Sequence, residues 1–353
     1  MEMKRRTIMQ LAAAAGMTVV LPRPGRAQNP VTFVGQTVEW TIPFGEGGGN
    51  DAWARFFAPY LAKYLPGNPT VLVRNLPGGG GLSGANSFAQ RAQDDGLALL
   101  GVSGSNQFPY LLGDSRVQYD YRDFTPVLVS PTGGVVFIPA SFGITGAADA
   151  ASLKEKELVY ANTGATALDL VLMLAFEMLG LNVRHVFGMS SRGETRMAFE
   201  RGEANIVPMV EAGKAVPLFS LGTLDDDGNL VRDPTFPDIP HVFEAYEMMQ
   251  GRPPEEGDLL DAYMAFFSAG FPAQKMALLP KTTPAEIVTA YRDAFAAAVA
   301  DPELQQRKAE ILGDYKQATG AAADRLFEIA TTISPEAKKW MLDYLKTEHN
   351  VQL

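Results

Sequence analysis

The chain has 353 residues, of which 46% are hydrophobic and 20% are charged, and its formal net charge is −10. These values are typical of a globular protein with a buried core, and the length allows two domains. The absence of cysteine excludes disulfides, thiolate zinc sites and cysteine nucleophiles, and an acidic chain argues against a nucleic-acid partner.

The N-terminal residues 1–27 predict a secretory signal peptide. The basic residues of Lys4–Arg6 precede an apolar run over 8–21, and small residues follow up to Ala27. The adjacent arginines match a twin-arginine signal in part, and the run is too short for a membrane anchor. Cleavage near Ala27 removes five basic residues and one acidic residue, so the net charge of the mature chain becomes −14. We therefore expect export to the periplasm.

From Val38 onwards, short apolar runs alternate with helical periodicity. The run VEWTIPF (38–44) predicts a strand, and a helix with Pro59 inside it follows the first glycine loop. Thr70–Asn75 predicts a second strand, and LALLGVSGSN (97–106) predicts a third that ends in small polar residues. This repetition of strand, loop and helix predicts an α/β protein with a mainly parallel sheet.

The middle of the chain repeats this pattern. ELVYANTGAT (157–166) predicts a strand that runs into a polar turn, and an apolar helix follows from Leu168 to its end at Gly180. NVRHVFGMSSRGE (182–194) predicts another strand and loop. The segment Glu247–Tyr263 is interpreted as a surface insertion or linker.

The C-terminal third predicts helices. Thr283 has the position of a cap, with Pro284 and a glutamate at the spacing of a capping box. Asp301–Pro302 and Ser334–Pro335 predict two further helix starts of the same kind.

The sequence offers little for catalysis. Its three histidines, His185, His241 and His349, have no helical ligand spacing, so no histidine zinc site is expected. LDDDGN (224–229) favours a hairpin turn over a calcium loop. GVSGSN lacks the second glycine of a nucleophile elbow, which disfavours a hydrolase. The residues therefore provide no convincing catalytic side chain.

Two glycine-rich loops, GEGGGND (45–51) and PGGGG (77–81), follow consecutive predicted strands. Neither matches a phosphate-binding loop or a dinucleotide fingerprint. Glycine-rich backbone at a helix start nevertheless offers N–H groups and the positive end of the helix dipole to an anion, such as a carboxylate. The polar turns SGSN, NTGAT and SSRGE follow later strands, and such loops converge on one crevice of a parallel sheet.

These motifs, with VRNLPGGGGLSGANSFAQRAQDDGLALL, DFTPVLV, RGEANIV and FPDIPHVFEA, resemble the periplasmic solute receptors of tripartite tricarboxylate transporters, also called Bug-type receptors. The resemblance covers nearly the whole mature chain. It implies a two-lobed periplasmic binding protein, type II-like, in which each lobe is a mainly parallel sheet flanked by helices and the ligand cleft lies between the lobes. Lobe 1 would comprise 28–130 plus 261–353, and lobe 2 would comprise 131–260.

The function implied is capture of a small carboxylate by a monomeric receptor, without cofactor or metal, and delivery to the large and small membrane subunits of a transporter. A sensor receptor that presents its ligand to a two-component system remains the first alternative, and an α/β hydrolase, which the motifs disfavour, remains the second. The ligand-binding candidates are Phe44, Gly47, Gly48, Gly49, Asn50, Gly79, Gly80, Ser103, Ser105, Asn106, Asn162, Thr163, Gly164, Thr166, Ser190, Ser191 and Arg192. Among these, Arg192 would pair with a second carboxylate, whereas Asp51 is interpreted as a helix-start residue.

Overall fold

The computed structural model describes residues 31–189, 192–208, 215–225 and 229–353. The predicted signal peptide, 1–27, lies outside the described residues. The strands are β1 (Thr37–Ile42), β2 (Thr70–Asn75), β3 (Ala98–Ser103), β4 (Phe124–Ser130), β5 (Val135–Ile138), β6 (Leu158–Ala161), β7 (Val183–Val186), β8 (Val216–Ser220), β9 (Thr223–Leu224), β10 (Leu230–Val231) and β11 (Lys275–Pro280).

The α-helices lie between strands in much of the chain up to β11, and only helices follow β11. They are α1 (Gly49–Tyr64), α2 (Leu82–Arg91), α3 (Gly104–Leu112), α4 (Leu170–Leu179), α5 (Arg192–Glu200), α6 (Val242–Gln250), α7 (Asp258–Gly270), α8 (Ala285–Ala300), α9 (Pro302–Arg307), α10 (Gly320–Ala330) and α11 (Pro335–His349). Among the described residues, no helix combines the length and the apolar character that crossing a bilayer requires.

The first sheet has the strand order β2-β1-β3-β11-β4. β1 pairs in parallel with both β2 and β3, whereas β11 runs antiparallel to β3 and β4. The side chains of β1 are buried at Val38, Trp40 and Ile42, and Trp40 packs edge-on against Trp53 of α1 at 5.1 Å between ring centroids. Because β1, β2 and β3 are parallel, their carboxyl ends lie at one edge of the sheet.

A second set of strands follows β4. β5 pairs antiparallel with β8, and β6 pairs in parallel with β7. A bridge between Phe137 and Val207 and a 3.0 Å hydrogen bond from the Asn205 N–H to the Val159 carbonyl join the two pairs. The predicted α/β class is confirmed, but these strands are two short pairs instead of one mainly parallel sheet. The nearly all-apolar helix α4 is buried beside them.

Two chain segments run side by side between the two sets of strands. Residues 131–134 connect β4 to β5, and residues 271–274 connect α7 to β11. The Thr132 N–H donates to the Phe271 carbonyl at 2.9 Å. The predicted lobe boundaries stay a prediction.

Three predicted helix starts have clear outcomes. Asp301 caps α9 and Ser334 caps α11, as predicted. The cap predicted at Thr283 is wrong, because α8 begins at Ala285 after Pro284 and Thr283 is buried. The predicted surface insertion or linker Glu247–Tyr263 contains the end of α6, a mostly exposed connection over 251–257 and the first residues of α7, and it stays a prediction.

Candidate functional site

The first glycine loop connects β1 to α1. Gly47 has φ +74°, a conformation that favours glycine, and its N–H donates to Asp51 Oδ2 at 2.8 Å. Arg55 Nε donates to Asp51 Oδ1, also at 2.8 Å. Burial by itself would raise the pKa of Asp51, but the hydrogen bonds from Arg55, Gly47 and Asn75 outweigh it and hold the pKa below its usual value.

This arrangement corrects one prediction. Gly47 was expected to offer its N–H group to a ligand, but Asp51 accepts that hydrogen bond. Asp51 lies in the first turn of α1, where a negative charge is favourable, which agrees with its interpretation as a helix-start residue. The donors that remain are the N–H groups of the first helical turn, at Gly49 and Asn50, which have no acceptor within the helix.

The side chain of Asn50 fastens the start of α1 to the sheet. It is buried, and its Nδ2 donates to the Gly101 carbonyl of β3 at 3.0 Å. Asn50 therefore positions the loop, and its backbone is the part that stays available to a ligand.

The backbone conformation of the second glycine loop requires glycine. Gly78, Gly79, Gly80 and Gly81 have φ values of 141°, 58°, 70° and 99°, which side-chain-bearing residues rarely adopt. A Cβ on Gly81 would lie 2.7 Å from Cε1 of Phe44 and 2.8 Å from Nδ2 of Asn106. The loop thus packs directly on Phe44, while Gly79 and Gly80 are exposed.

Asn106 joins the second glycine loop to the loop that follows β3. Its Nδ2 donates to the Gly81 carbonyl at 3.0 Å, and its Oδ1 accepts from the Ser103 N–H at 3.2 Å. The side chain is fully buried. Asn106 was predicted as a ligand contact, but both ends of its amide are bonded within the protein, so its role here is to position the loops. Ser105 is partly exposed in the same loop.

The turn that follows β6 is held by a buried carboxylate. Asp169, immediately before α4, accepts hydrogen bonds from the Tyr160 hydroxyl, the Thr163 hydroxyl and the Thr163 N–H, the last at 3.1 Å. Thr163 was predicted to donate to a ligand, but both of its donors point to Asp169. Asn162 is fully buried, with Nδ2 at 3.4 Å from the Tyr160 carbonyl, and is likewise a positioning residue. Gly164 and Thr166 are partly exposed.

The structure brings this turn next to the loop after β3. Leu168 Cδ1 lies 3.1 Å from where a Cβ on Gly104 would stand and 2.7 Å from the same position on Gly270. Two glycines therefore make room for Leu168, and the turn comes into contact with the start of α3.

Three predicted candidates cannot be placed. Ser190 and Ser191 lie outside the described residues, and of Arg192 the structure describes only the backbone, at the start of α5.

Two residues were missed by sequence reasoning. Asp169 could have been suspected from its place before an apolar helix, where an acid often caps. Lys275 begins β11 and pairs in register with Ser103 and Ser130. It brings a cationic residue to the carboxyl edge of β3, and its position in the sequence gives no signal of this.

No family model matches the chain. A curated relative, a UPF0065 protein of a Pseudomonas species, is 27% identical over 237 residues, which are 62% of this chain and 66% of that relative. The chain thus spans slightly less than two thirds of that relative's length. The fold, however, is matched over most of the chain. The periplasmic binding protein BugD superposes with a TM-score of 0.60 at 21% identity, covering 88% of this chain and 97% of that structure.

The resemblance to the Bug-type receptors is confirmed at the level of the fold. MatC from Rhodopseudomonas palustris, solved with bound malate, has the same fold with a TM-score of 0.58 at 21% identity, covering 86% of this chain and 97% of that one. A second Rhodopseudomonas palustris protein, solved with adipate, gives 0.59 at 20% identity, with 88% and 96% covered. At these identities the likeness shows that this chain shares their fold.

Proposed function

We propose that this chain is an extracytoplasmic receptor that captures a small carboxylate and delivers it to the membrane subunits of a tripartite tricarboxylate-type transporter. The observation that carries the proposal is the joined edge of the first sheet. There the loops after β1, β2 and β3 are bonded to one another and present the N-terminus of α1. Malate and adipate in two proteins of the same fold support a carboxylate ligand, and the predicted signal peptide supports the location.

The ligand carboxylate would bind the first-turn N–H groups of α1. Gly48 precedes this turn in extended conformation, and Gly48, Gly49, Gly79 and Gly80 are all exposed. Helix N-termini favour negative charge because their first N–H groups lack partners and the dipole is positive there. Phe44, Ser103 and Ser105 would complete this side, and Gly164 and Thr166 would close from the turn after β6.

Calorimetry on glycine variants tests the proposal. Gly48→Val places a branched side chain at the entrance to the α1 N-terminus, and its Cβ would lie 3.2 Å from the Gly45 carbonyl oxygen. Gly45→Val is the matched control, because a Cβ there meets no atom within 4 Å. We expect at least a tenfold loss of affinity for malate or adipate in Gly48→Val and wild-type affinity in Gly45→Val, with little change in either melting temperature.

Gly79→Val would be a poorer test. At φ +58° a β-branched residue is strained, so the empty protein should also lose stability. If Gly48→Val binds as tightly as the wild type, the glycines only turn the chain. If incubated ligand is converted over time by the pure protein, the receptor proposal fails. Native mass spectrometry of protein purified from its host would identify the retained carboxylate.

A further inference from the structure

The end of α11 contacts β7 through two histidine rings. His185 of β7 and His349 in the last turn of α11 lie 5.2 Å apart between ring centroids, with their planes at 87°. Phe187 stacks on His185 at 6.0 Å and meets the edge of His349 at 5.8 Å. Tyr344 contacts His349 from the preceding turn at 5.1 Å. The two imidazoles are thus the centre of an aromatic contact between the C-terminal helix and the strand.

A cavity of about 490 Å³ borders this contact. The titratable and charged groups that face the two rings come from every element packed around them: Tyr160 of β6, Arg184 of β7, Asp169 before α4, Glu177 of α4, and Tyr344 and Glu348 of α11. Arg184 is paired with Glu157 through its Nε at 2.9 Å. Groups of both charge signs therefore surround the two rings, and burial affects the pKa of each ring more than these charges do.

Both rings favour the neutral form. Burial, and to a smaller extent the neighbouring His349, lower the pKa of His185 to about 4 against the opposing effect of Asp169. Burial also lowers the pKa of His349, against the effect of Glu348. Nε2 of His349 is buried and accepts or donates no hydrogen bond within the described part of the chain. A proton on either ring would place a cation beside the other ring, where partial burial disfavours the charge.

His185 also touches the candidate ligand turn. Its Nδ1 lies 3.5 Å from Nδ2 of Asn162, the first residue of the turn after β6. A neutral Nδ1 can accept from this amide, but a protonated ring has a donor at both nitrogens. Two donors would then face each other, and the Asn162 amide would have to rotate away from its 3.4 Å contact with the Tyr160 carbonyl. The charge of His185 is therefore linked to the conformation of the turn.

We propose that His185 and His349 form a proton-sensitive latch, which when neutral holds the end of α11 against β7 and fixes the turn at Asn162, and which opens when protonated. As a regulator of ligand capture the latch rests on the proposed function. As a conformational device it belongs to the ligand-free protein and can be tested there.

The direction of the pH effect on the latch follows from the pKa of His185 in its closed and open forms. A released His185 would regain its usual pKa of 6.5, against about 4 in the closed latch. The open form then binds more protons between these values, so latch stability is complete above pH 6.5 and is lost as the pH falls towards 4. Between pH 7.5 and pH 5.0 the equilibrium constant for opening should rise about thirty-fold.

Hydrogen exchange on the ligand-free protein tests this. At pH 5.0, after correction for intrinsic exchange, peptides covering 158–166 and 341–351 should lose up to about thirty-fold of their protection at pH 7.5. His185→Phe keeps a ring against Phe187 but removes the titration of His185, so only His349 can still respond and the loss of protection should be clearly smaller than in the wild type. His241→Phe, a variant of a histidine outside the latch, should respond as the wild type does. Equal protection of the wild type at both pH values, or the same loss in His185→Phe, would overturn the latch.

A second measurement does not depend on any variant folding. With three histidines in the chain, the imidazole proton signals can be followed by NMR, and one should titrate far below pH 6. Three ordinary titrations near pH 6.5 would also overturn the latch. Malate calorimetry at pH 7.5 separates the two proposals: absent binding there counts against the receptor function, whereas the exchange data judge the latch alone.

Discussion

At the scale of single residues, the glycines of the two loops have different roles that look alike in the sequence. Gly47 adopts a left-handed conformation, and its N–H donates a hydrogen bond to Asp51. Gly81 lets the backbone approach Phe44 and Asn106 within the protein. Gly48 and Gly49 lie at the exposed start of α1. The glycine content predicted exposed backbone N–H groups in these loops. Which of them stay free depends on the hydrogen bond to Asp51, which forms only in the folded loop.

The polar candidates show the same limit. Asn106, Asn162 and Thr163 were predicted as ligand contacts because amides and hydroxyls after strands commonly bind ligands. In the structure their side chains bond to Gly81, Tyr160 and Asp169 instead. Buried polar groups must find partners, and a sequence does not show whether the partner is a ligand or the next loop. The convergence of these loops was therefore more predictable than the contacts of their side chains.

Asp169→Asn should destabilise the protein and weaken ligand binding. The carboxylate accepts from the Tyr160 hydroxyl and from both donors of Thr163, and an amide would turn one acceptor into a donor facing donors. Leaving a buried donor unpaired costs about 1–3 kcal/mol. Urea unfolding should show a loss of this size, and calorimetry should show reduced affinity because the turn loses its anchor.

Asp343→Asn is the control for this variant, because Asp343 is an exposed carboxylate paired with Lys339 on one face of α11. Exposed pairs of this kind contribute about 0.3–0.5 kcal/mol. If Asp169→Asn is as stable as Asp343→Asn, the Asp169 hydrogen bonds do not hold the turn.

At the scale of elements, helix starts were predicted well where a side chain can act alone. Asp301 and Ser334 each precede a proline and accept from N–H groups of the following turn. Thr283 failed because the chain already contains Pro284, after which α8 begins, and the Thr283 hydroxyl is turned inwards. A motif of cap and proline is local, but the rotamer of the cap depends on packing.

Strand order was beyond the sequence for a different reason. β11 inserts between β3 and β4 although it lies far along the chain. Alternation of strand and helix predicts parallel neighbours, and it has no signal for a late antiparallel strand. Lys275 was missed for this reason alone.

Ser334→Ala should cost about 1 kcal/mol of stability, since Ser334 Oγ accepts from the Ala337 N–H at 3.1 Å and caps α11. Thr319→Ala is the matched control: Thr319 precedes α10 in the same way, but its side chain makes no capping hydrogen bond. Thermal and urea unfolding of both variants measure the difference. Equal losses would mean that the cap of α11 adds nothing to the stability of the fold.

At the scale of the whole molecule, the α/β class and the likeness to Bug-type receptors followed from the alternation of elements and the motif set. What the sequence does not show is how the two sets of strands are joined. The segment 131–134 passes beside Asp233, whose two carboxylate oxygens accept from the Tyr315 hydroxyl at 2.7 and 2.6 Å. These residues come from distant parts of the chain, and they meet at the connection.

Gly133→Ala should be strongly destabilising. Its Cβ would lie 1.9 Å from Asp233 Oδ2 and 2.0 Å from the Tyr315 hydroxyl oxygen, so this partly buried pair would have to separate. Breaking the hydrogen-bonded pair and straining the connecting segment should together cost about 2–4 kcal/mol. Gly134→Ala, the neighbouring control, would meet only side-chain atoms, Leu221 Cδ1 at 3.3 Å and Phe271 Cε1 at 3.5 Å, and should stay within about 1 kcal/mol of the wild type. In Gly133→Ala, the further change Tyr315→Phe removes one of the two overlapping atoms and should recover part of the loss. Urea unfolding of the wild type, the two single variants and the double variant measures these differences. Equal stability of Gly133→Ala and Gly134→Ala would show that the segment moves aside freely and that the Asp233–Tyr315 pair does not fix the connection.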